Sequence, residues 1–241
     1  MEGYIDMHSH ILPGVDDGAR DVDEMREMLR IAYEEGIRCI IATPHYHPRR
    51  GHASPGKLKE QTILLRREAH AIDERFRIYL GTEIYFGQEV VEKIRSGRIL
   101  TMNGRNYVLV EFSPSDPSDY ICQSVQKLQV NGYEVIVAHV ERYASLVSDM
   151  EQIYRLHEMG VHLQVNAGSI IGENGWKTKK FIKKLMKEDM LFCVGTDAHR
   201  SDSRQPRMRE AAEYVEKKFG GEYMRQIFFS NAKKMLRKVD R

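Results

Sequence analysis

Residues 5–18 read IDMHSHILPGVDDG. A short apolar run leads into two histidines one residue apart, His8 and His10, and Asp17 follows seven residues after the second. Strand residues at i and i+2 share a face, with Cα atoms about 6–7 Å apart. His8 and His10 are therefore expected to project together from the end of a first strand. Near the end of the chain, Asp197 and His199 in GTDAH repeat that spacing.

Between these points, short apolar runs alternate with helical segments. Strands are predicted near 4–7, 39–42, 77–80, 107–111, 135–138, 162–165 and 191–194. Most are β-branched or aromatic runs of four to six residues, as buried parallel strands should be. Asp21 with Glu24 resembles a capping box at the first helix, whose apolar face is Met25, Leu29, Ala32 and Tyr33, with Gly36 as its stop. Ser54-Pro55 opens the next helix. Others are expected near 88–96, 119–131, 149–159, 175–188, 205–218 and 222–237. Strict alternation implies a parallel sheet covered by helices.

The polar residues choose between an open sheet and a closed barrel. After the apolar runs come His8 and His10, then His45, Glu83, Glu111, His139, and finally Asp197 and His199. An open sheet brings two or three strand ends together at a switch point. A barrel points all of them at one mouth, where barrel enzymes carry their sites. The expected fold is a (β/α)7 barrel with parallel strands and an extra C-terminal helix, one domain over residues 1–241.

Nine groups then converge: His8, His10, Asp17, His45, Glu83, Glu111, His139, Asp197 and His199. Any one of them has a bland reading as a satisfied strand-end polar group or a helix cap. Together, the carboxylates would repel strongly unless cations lay among them. Nitrogen and oxygen donors without thiolates suit divalent manganese, iron, zinc or magnesium. Nine ligands are too many for one ion, so two or three are expected, with a carboxylate such as Glu83 bridging. Ions of this kind draw the pKa of a bound water towards about 7 and so supply hydroxide at neutral pH. Arg142 and Arg204 fall on loops beyond this mouth, where planar guanidinium forks suit a phosphoryl group. Arg200 is a third candidate. His47 and His52 fall in the loop after the second strand and are candidate pocket residues. His70, His157 and His162 read as structural.

Other classes are excluded by composition. A net charge of +2 with no basic stripe argues against nucleic acid. The run KTKKFIKK at 177–184 reads as a solvated helix face. No segment approaches the length of a membrane span, and no leader-like pattern opens the chain, so a cytoplasmic protein is expected. Cys39, Cys122 and Cys193 read as reduced core residues. The positions six beyond them are His45, Leu128 and His199, so the Cys-to-Arg spacing of cysteine-based tyrosine phosphatases is missing. A GxxxxGK[ST] phosphate loop is missing too. The sequence is silent on oligomeric state.

The motifs HSH, TPH, GTE, EF, AHVERY and GTDAH resemble the polymerase-and-histidinol-phosphatase (PHP) superfamily. More narrowly, IDMHSHILPGVDDGA, ATPHYH, AHVERY and VGTDAHR are similar to the protein-tyrosine phosphatases of capsular and exopolysaccharide operons, chiefly of Gram-positive bacteria. The resemblance implies a distorted (β/α)7 barrel and a trinuclear site formed by the same nine residues, often active with manganese. It implies phosphotyrosine as substrate, carried by a partner tyrosine autokinase that controls polysaccharide synthesis. A PHP-type phosphatase of a small phosphomonoester such as histidinol phosphate is the alternative. Val140 in AHVERY stands where the family pattern has proline, leaving His139 and Arg142 in place.

Overall fold

The structure, a computed structural model, describes residues 3–237. Nine strand segments, all paired in parallel, run in chain order: β1 (Tyr4–Ser9), β2 (Ile37–Ala42), β3 (His45–Tyr46), β4 (Arg77–Leu80), β5 (Glu83–Tyr85), β6 (Tyr107–Glu111), β7 (Glu134–Val137), β8 (His162–Asn166) and β9 (Leu191–Gly195). They form the ladders β1-β2-β4 and β3-β5-β6-β7-β8-β9. Two of the predicted strands, 39–42 and 77–80, are each continued after a break by a short segment that was not foreseen. Thr43-Pro44 separates β2 from β3, and Gly81-Thr82 separates β4 from β5. Pro44 has no N–H to give the ladder, but its carbonyl accepts from Glu83 N at 3.2 Å, and Ala42 O accepts from Gly81 N at 2.8 Å. Each pair is thus one strand with a break.

The ring closes between its first and last members. Asp197 N donates to His8 O and His10 N to Ala198 O, both at 2.8 Å. The distortion lies at the other end, where β4 pairs with β2 but not with β6. The buried Met102 stands in that gap; a Cβ on Gly81 would lie 2.5 Å from its sulfur.

The barrel interior is apolar in its lower half: Ile5 and Met7 of β1 meet Cys39, Ile41, Leu109, Ile136 and Cys193. Ala232 and Met235 of the terminal helix Asn231–Leu236 belong to the same cluster and plug the bottom. Strict alternation from Ile5 and Met7 would turn His8 and His10 outward. A bulge prevents this. β1 pairs Asp6 with Ile40 and Ser9 with Ala42, three steps against two on its partner. The extra residue reverses the parity of the strand, and both histidines enter the barrel mouth.

The helices surround the sheet. Asp21 caps the helix Val22–Glu34 by accepting from Glu24 N, and Met25, Met28, Leu29 and Ala32 are its buried apolar stripe. The capping box is only half formed, because the Glu24 carboxylate turns to the backbone N–H and guanidinium of Arg20. Ser54 caps the helix Pro55–Ile72 through Lys57 N. The helix expected from 205 begins at Arg209, after Pro206, and the short helices Ala144–Val147 and Ala167–Ile171 were not foreseen. In Gly175–Lys187 the buried residues are Phe181, Ile182, Leu185 and Met186, and the lysine run lies largely on the opposite face. Among the described residues no helix is long and apolar enough to cross a membrane.

Candidate metal centre and active site

The strand ends bring the nine predicted residues to one mouth. Glu83 sits at the centre, fully buried. Its Oε2 lies 3.1 Å from His8 Nε2, 3.1 Å from His10 Nε2 and 3.0 Å from His45 Nδ1, and its Oε1 lies 2.8 Å from His139 Nε2. Despite three nitrogens so near, Oε2 has no hydrogen bond of acceptable geometry. Donor atoms about 2.1 Å from one cation at right angles are about 3 Å apart. The three nitrogens around Glu83 Oε2 thus stand at the spacing of ligands that share an ion, without hydrogen-bond geometry to account for them, and the donor set fits divalent cations.

Three overlapping groups emerge: His8, His10 and Asp197; His10, Asp17, His45 and His199; and His45, Glu83 and Glu111. Within each, one ligand atom per residue lies within 4.8 Å of the others. His139 falls outside these groups but bonds Glu83, and its Nε2 is 3.8 Å from Glu111.

A second layer fixes the rings. His10 Nδ1 donates to Asp16 Oδ2 at 2.9 Å, and His199 Nδ1 donates to the Asp197 carbonyl at 2.9 Å. His8 Nδ1 faces Gln164 Oε1 at 3.3 Å, and the same oxygen accepts from His139 N at 2.8 Å. His139 Nδ1 lies 3.3 Å from the buried Tyr143 hydroxyl. Holding Nδ1 leaves Nε2 of these four rings for the centre. Asp16, Gln164 and Tyr143 were absent from the sequence-based site. A polar glutamine inside the apolar run HLQV was the one readable signal.

The backbone is strained where these side chains are aimed. His139, Asp197 and Arg204 adopt left-handed φ values of 33°, 53° and 47°, a conformation that costs non-glycine residues on the order of 1–3 kcal/mol. Gly195 meets a different need, since a Cβ there would lie 2.5 Å from the Cβ of His8.

Electrostatics set the protonation. Burial would raise Glu83, but the surrounding histidines hold it well below the usual carboxylate range. Asp197 is buried yet kept low by His8, His10 and Arg142. Burial lowers His45, but the Glu111 and Glu83 carboxylates beside it prevail and bring it up to about 10. His8 and His10 also end above the ordinary value. His199 is pushed down to about 3 by burial and by His10, which keeps its ring neutral.

Arg142 and Arg204 converge on one atom. Their Nη2 groups reach Asp197 Oδ2 at 2.6 and 2.7 Å. Asn166 donates to the same oxygen at 3.0 Å, while Oδ1 faces His8 and His10 at 3.6 and 3.5 Å. Arg200 lies elsewhere: it donates to Gly18 O at 2.7 Å and clasps the loop after β1. Cys39, Cys122 and Cys193 are free and buried, and burial pushes all three thiols up. A thiolate nucleophile is not accessible here.

Residues 4–237 match the family model for capsular polysaccharide synthesis, CpsB/CapC. The chain belongs to the CpsB/CapC family. It is 34% identical to the tyrosine-protein phosphatase YwqE of Bacillus subtilis over 97% of this chain and 91% of that protein. To the tyrosine-protein phosphatase CpsB of Streptococcus pneumoniae it is 30% identical, over 96% and 98%. A chain from the crystal structures of YwqE and CpsB, described as unique metal-dependent tyrosine phosphatases, superposes with a TM-score of 0.89 at 33% identity, covering 96% of this chain and 94% of that one. A histidinol phosphate phosphatase from Lactococcus lactis, solved with zinc, L-histidinol and phosphate, shares the fold at 14% identity and a TM-score of 0.61, over 90% of this chain and 93% of that one. The barrel class expected from the strand ends is thus the fold of this CpsB/CapC chain and its solved relatives.

Proposed function

We propose that this CpsB/CapC protein is a metal-dependent protein-tyrosine phosphatase that works in the cytoplasm without a cysteine nucleophile. Its substrate class is a tyrosine-phosphorylated protein, and the motif resemblance points to a partner tyrosine autokinase of polysaccharide synthesis. The observation that carries this reading is the Glu83 carboxylate ringed by four imidazoles, beside an Asp197 oxygen held by two arginines.

His8, His10, Asp17, His45, Glu83, Glu111, His139, Asp197 and His199 would hold two or three divalent ions, manganese first, with iron, zinc or magnesium as substitutes. Bound there, such ions supply Lewis acidity towards a phosphoryl oxygen and a nucleophilic water at neutral pH. The protein does the rest. Asp16, Gln164 and Tyr143 orient the imidazoles and leave their Nε2 atoms free. Arg142 and Arg204 already aim at one anionic oxygen, so their forks suit the charge that gathers on a transferring phosphoryl group. A phenolate leaves readily, because its parent phenol has a pKa near 10, so an aryl phosphate makes little demand for a general acid.

The test is a phosphotyrosyl peptide assay on protein stripped of metal and reloaded with each ion in turn. Turnover should return with manganese and exceed turnover of histidinol phosphate. His10→Ala and Asp197→Ala should be inactive while circular dichroism still reports a folded barrel. Preference for histidinol phosphate, or full activity in the stripped protein, would contradict the proposal.

A further inference from the structure

A cleft of about 520 Å³ opens beside the cluster and shares no residue with the groove that holds Arg142 and Arg204. Asp17, His45 and Glu111 line it, together with His47, Tyr85 and Phe112. The aromatic wall follows from strand register. β3 and β5 pair His45 with Glu83 and Tyr46 with Ile84. The next residues, His47 and Tyr85, therefore stand across from each other, with ring centroids 4.4 Å apart. Each lies two positions beyond a central residue of the site, on the same face and about 6–7 Å farther along the strand direction. Phe112, next to Glu111, is backed by Phe86 and Tyr143 at centroid distances of 5.9 Å each, which makes it a rigid floor. The arginine groove is walled instead by polar groups such as Asn166, Ser169, Glu173 and Asp202. His52, the other loop histidine, packs edge-on against Tyr46.

We propose that His47, Tyr85 and Phe112 form the subsite for the aryl ring of the substrate, and thereby select phosphotyrosine over alkyl phosphomonoesters. This rests on the phosphatase reading above. Because Asp17, His45 and Glu111 belong both to the cluster and to the cleft wall, a phosphoryl group held at the cluster can turn its ester oxygen towards this cleft. Flat aromatic faces hold a phenyl ring by offset or edge contacts and gain nothing from a short polar alkyl chain.

Binding tests this without turnover. Phenylphosphonate and methylphosphonate, which are not hydrolysed, would be titrated calorimetrically into the manganese-loaded protein. The wild type should prefer the phenyl compound by about tenfold. Tyr85→Ala and His47→Ala should erase most of that preference, with methylphosphonate affinity and metal content held within about twofold. Tyr85→Phe should retain the preference. If Tyr85→Ala folds and keeps the preference, or weakens both ligands alike, the ring lies elsewhere and the subsite is wrong. If methylphosphonate fails to bind the wild type, the phosphoryl site itself falls, and the subsite with it.

Discussion

Asp16 accepts a 2.9 Å hydrogen bond from Nδ1 of His10, and this divides the duties of two neighbouring aspartates. Asp16 is nearly buried and also accepts from Gly18 N and His45 N. Burial would raise its carboxyl, but the His10 bond wins and holds it low. Asp17 is two-thirds exposed and lies 3.4 Å from His45 Nε2 and 3.6 Å from His199 Nε2. Asp16 thus orients a ring while Asp17 faces the cluster.

Asp16→Ala should loosen His10 and weaken metal retention by about 10–100-fold. Excess manganese should restore activity. Metal content after dialysis, measured beside activity against manganese concentration, separates this from loss of a direct ligand, which excess metal would not rescue. Asp16→Asn, which keeps an acceptor, should be milder.

Arg142→Ala and Arg204→Ala should each lower kcat/KM by about 10²–10³-fold and weaken inhibition by inorganic phosphate. Elemental analysis should find metal content unchanged. A fall in bound metal would move both arginines from the phosphoryl group to the support of Asp197.

Metal binding should release protons. In the ion-free fold His45 is held protonated, its pKa brought up to about 10, and a cation requires the neutral ring. Calorimetry in buffers of different ionisation enthalpy at pH 7 should show at least one proton expelled, and affinity should fall as pH is lowered. The stability of the ion-free protein has the opposite sign. A folded pKa raised above the unfolded value of about 6.5 stabilises below that pH. That contribution is lost as pH climbs towards about 10. Chelator-treated protein should therefore melt lower at pH 9 than at pH 7. Buffer-independent heats would refute the assignment.

Gly195→Ala places a methyl 2.5 Å from the Cβ of His8. The clash should destabilise the fold by about 1–3 kcal/mol and displace a central imidazole. Both Tm and manganese affinity should drop. A drop in Tm with unaltered manganese affinity would show that the strand yields without moving His8.

Much of this molecule was legible in the chain. Alternating apolar runs and helices implied a parallel sheet covered by helices, because local periodicity reports which side of each element is buried. Polar residues at strand ends marked the mouth, because every parallel strand delivers its carboxyl end to the same face. Two matters belonged to tertiary structure. The bulge in β1 admits His8 and His10 to the interior, and it exists only as a mismatch with β2. The division of duties between Asp16 and Asp17, the meeting of Arg142 with Arg204 on one Asp197 oxygen, and the use of Gln164 depend on groups brought in from distant strands. Sequence spacing fixes which way a side chain leaves its own strand; which neighbour it meets there is decided by closure of the ring.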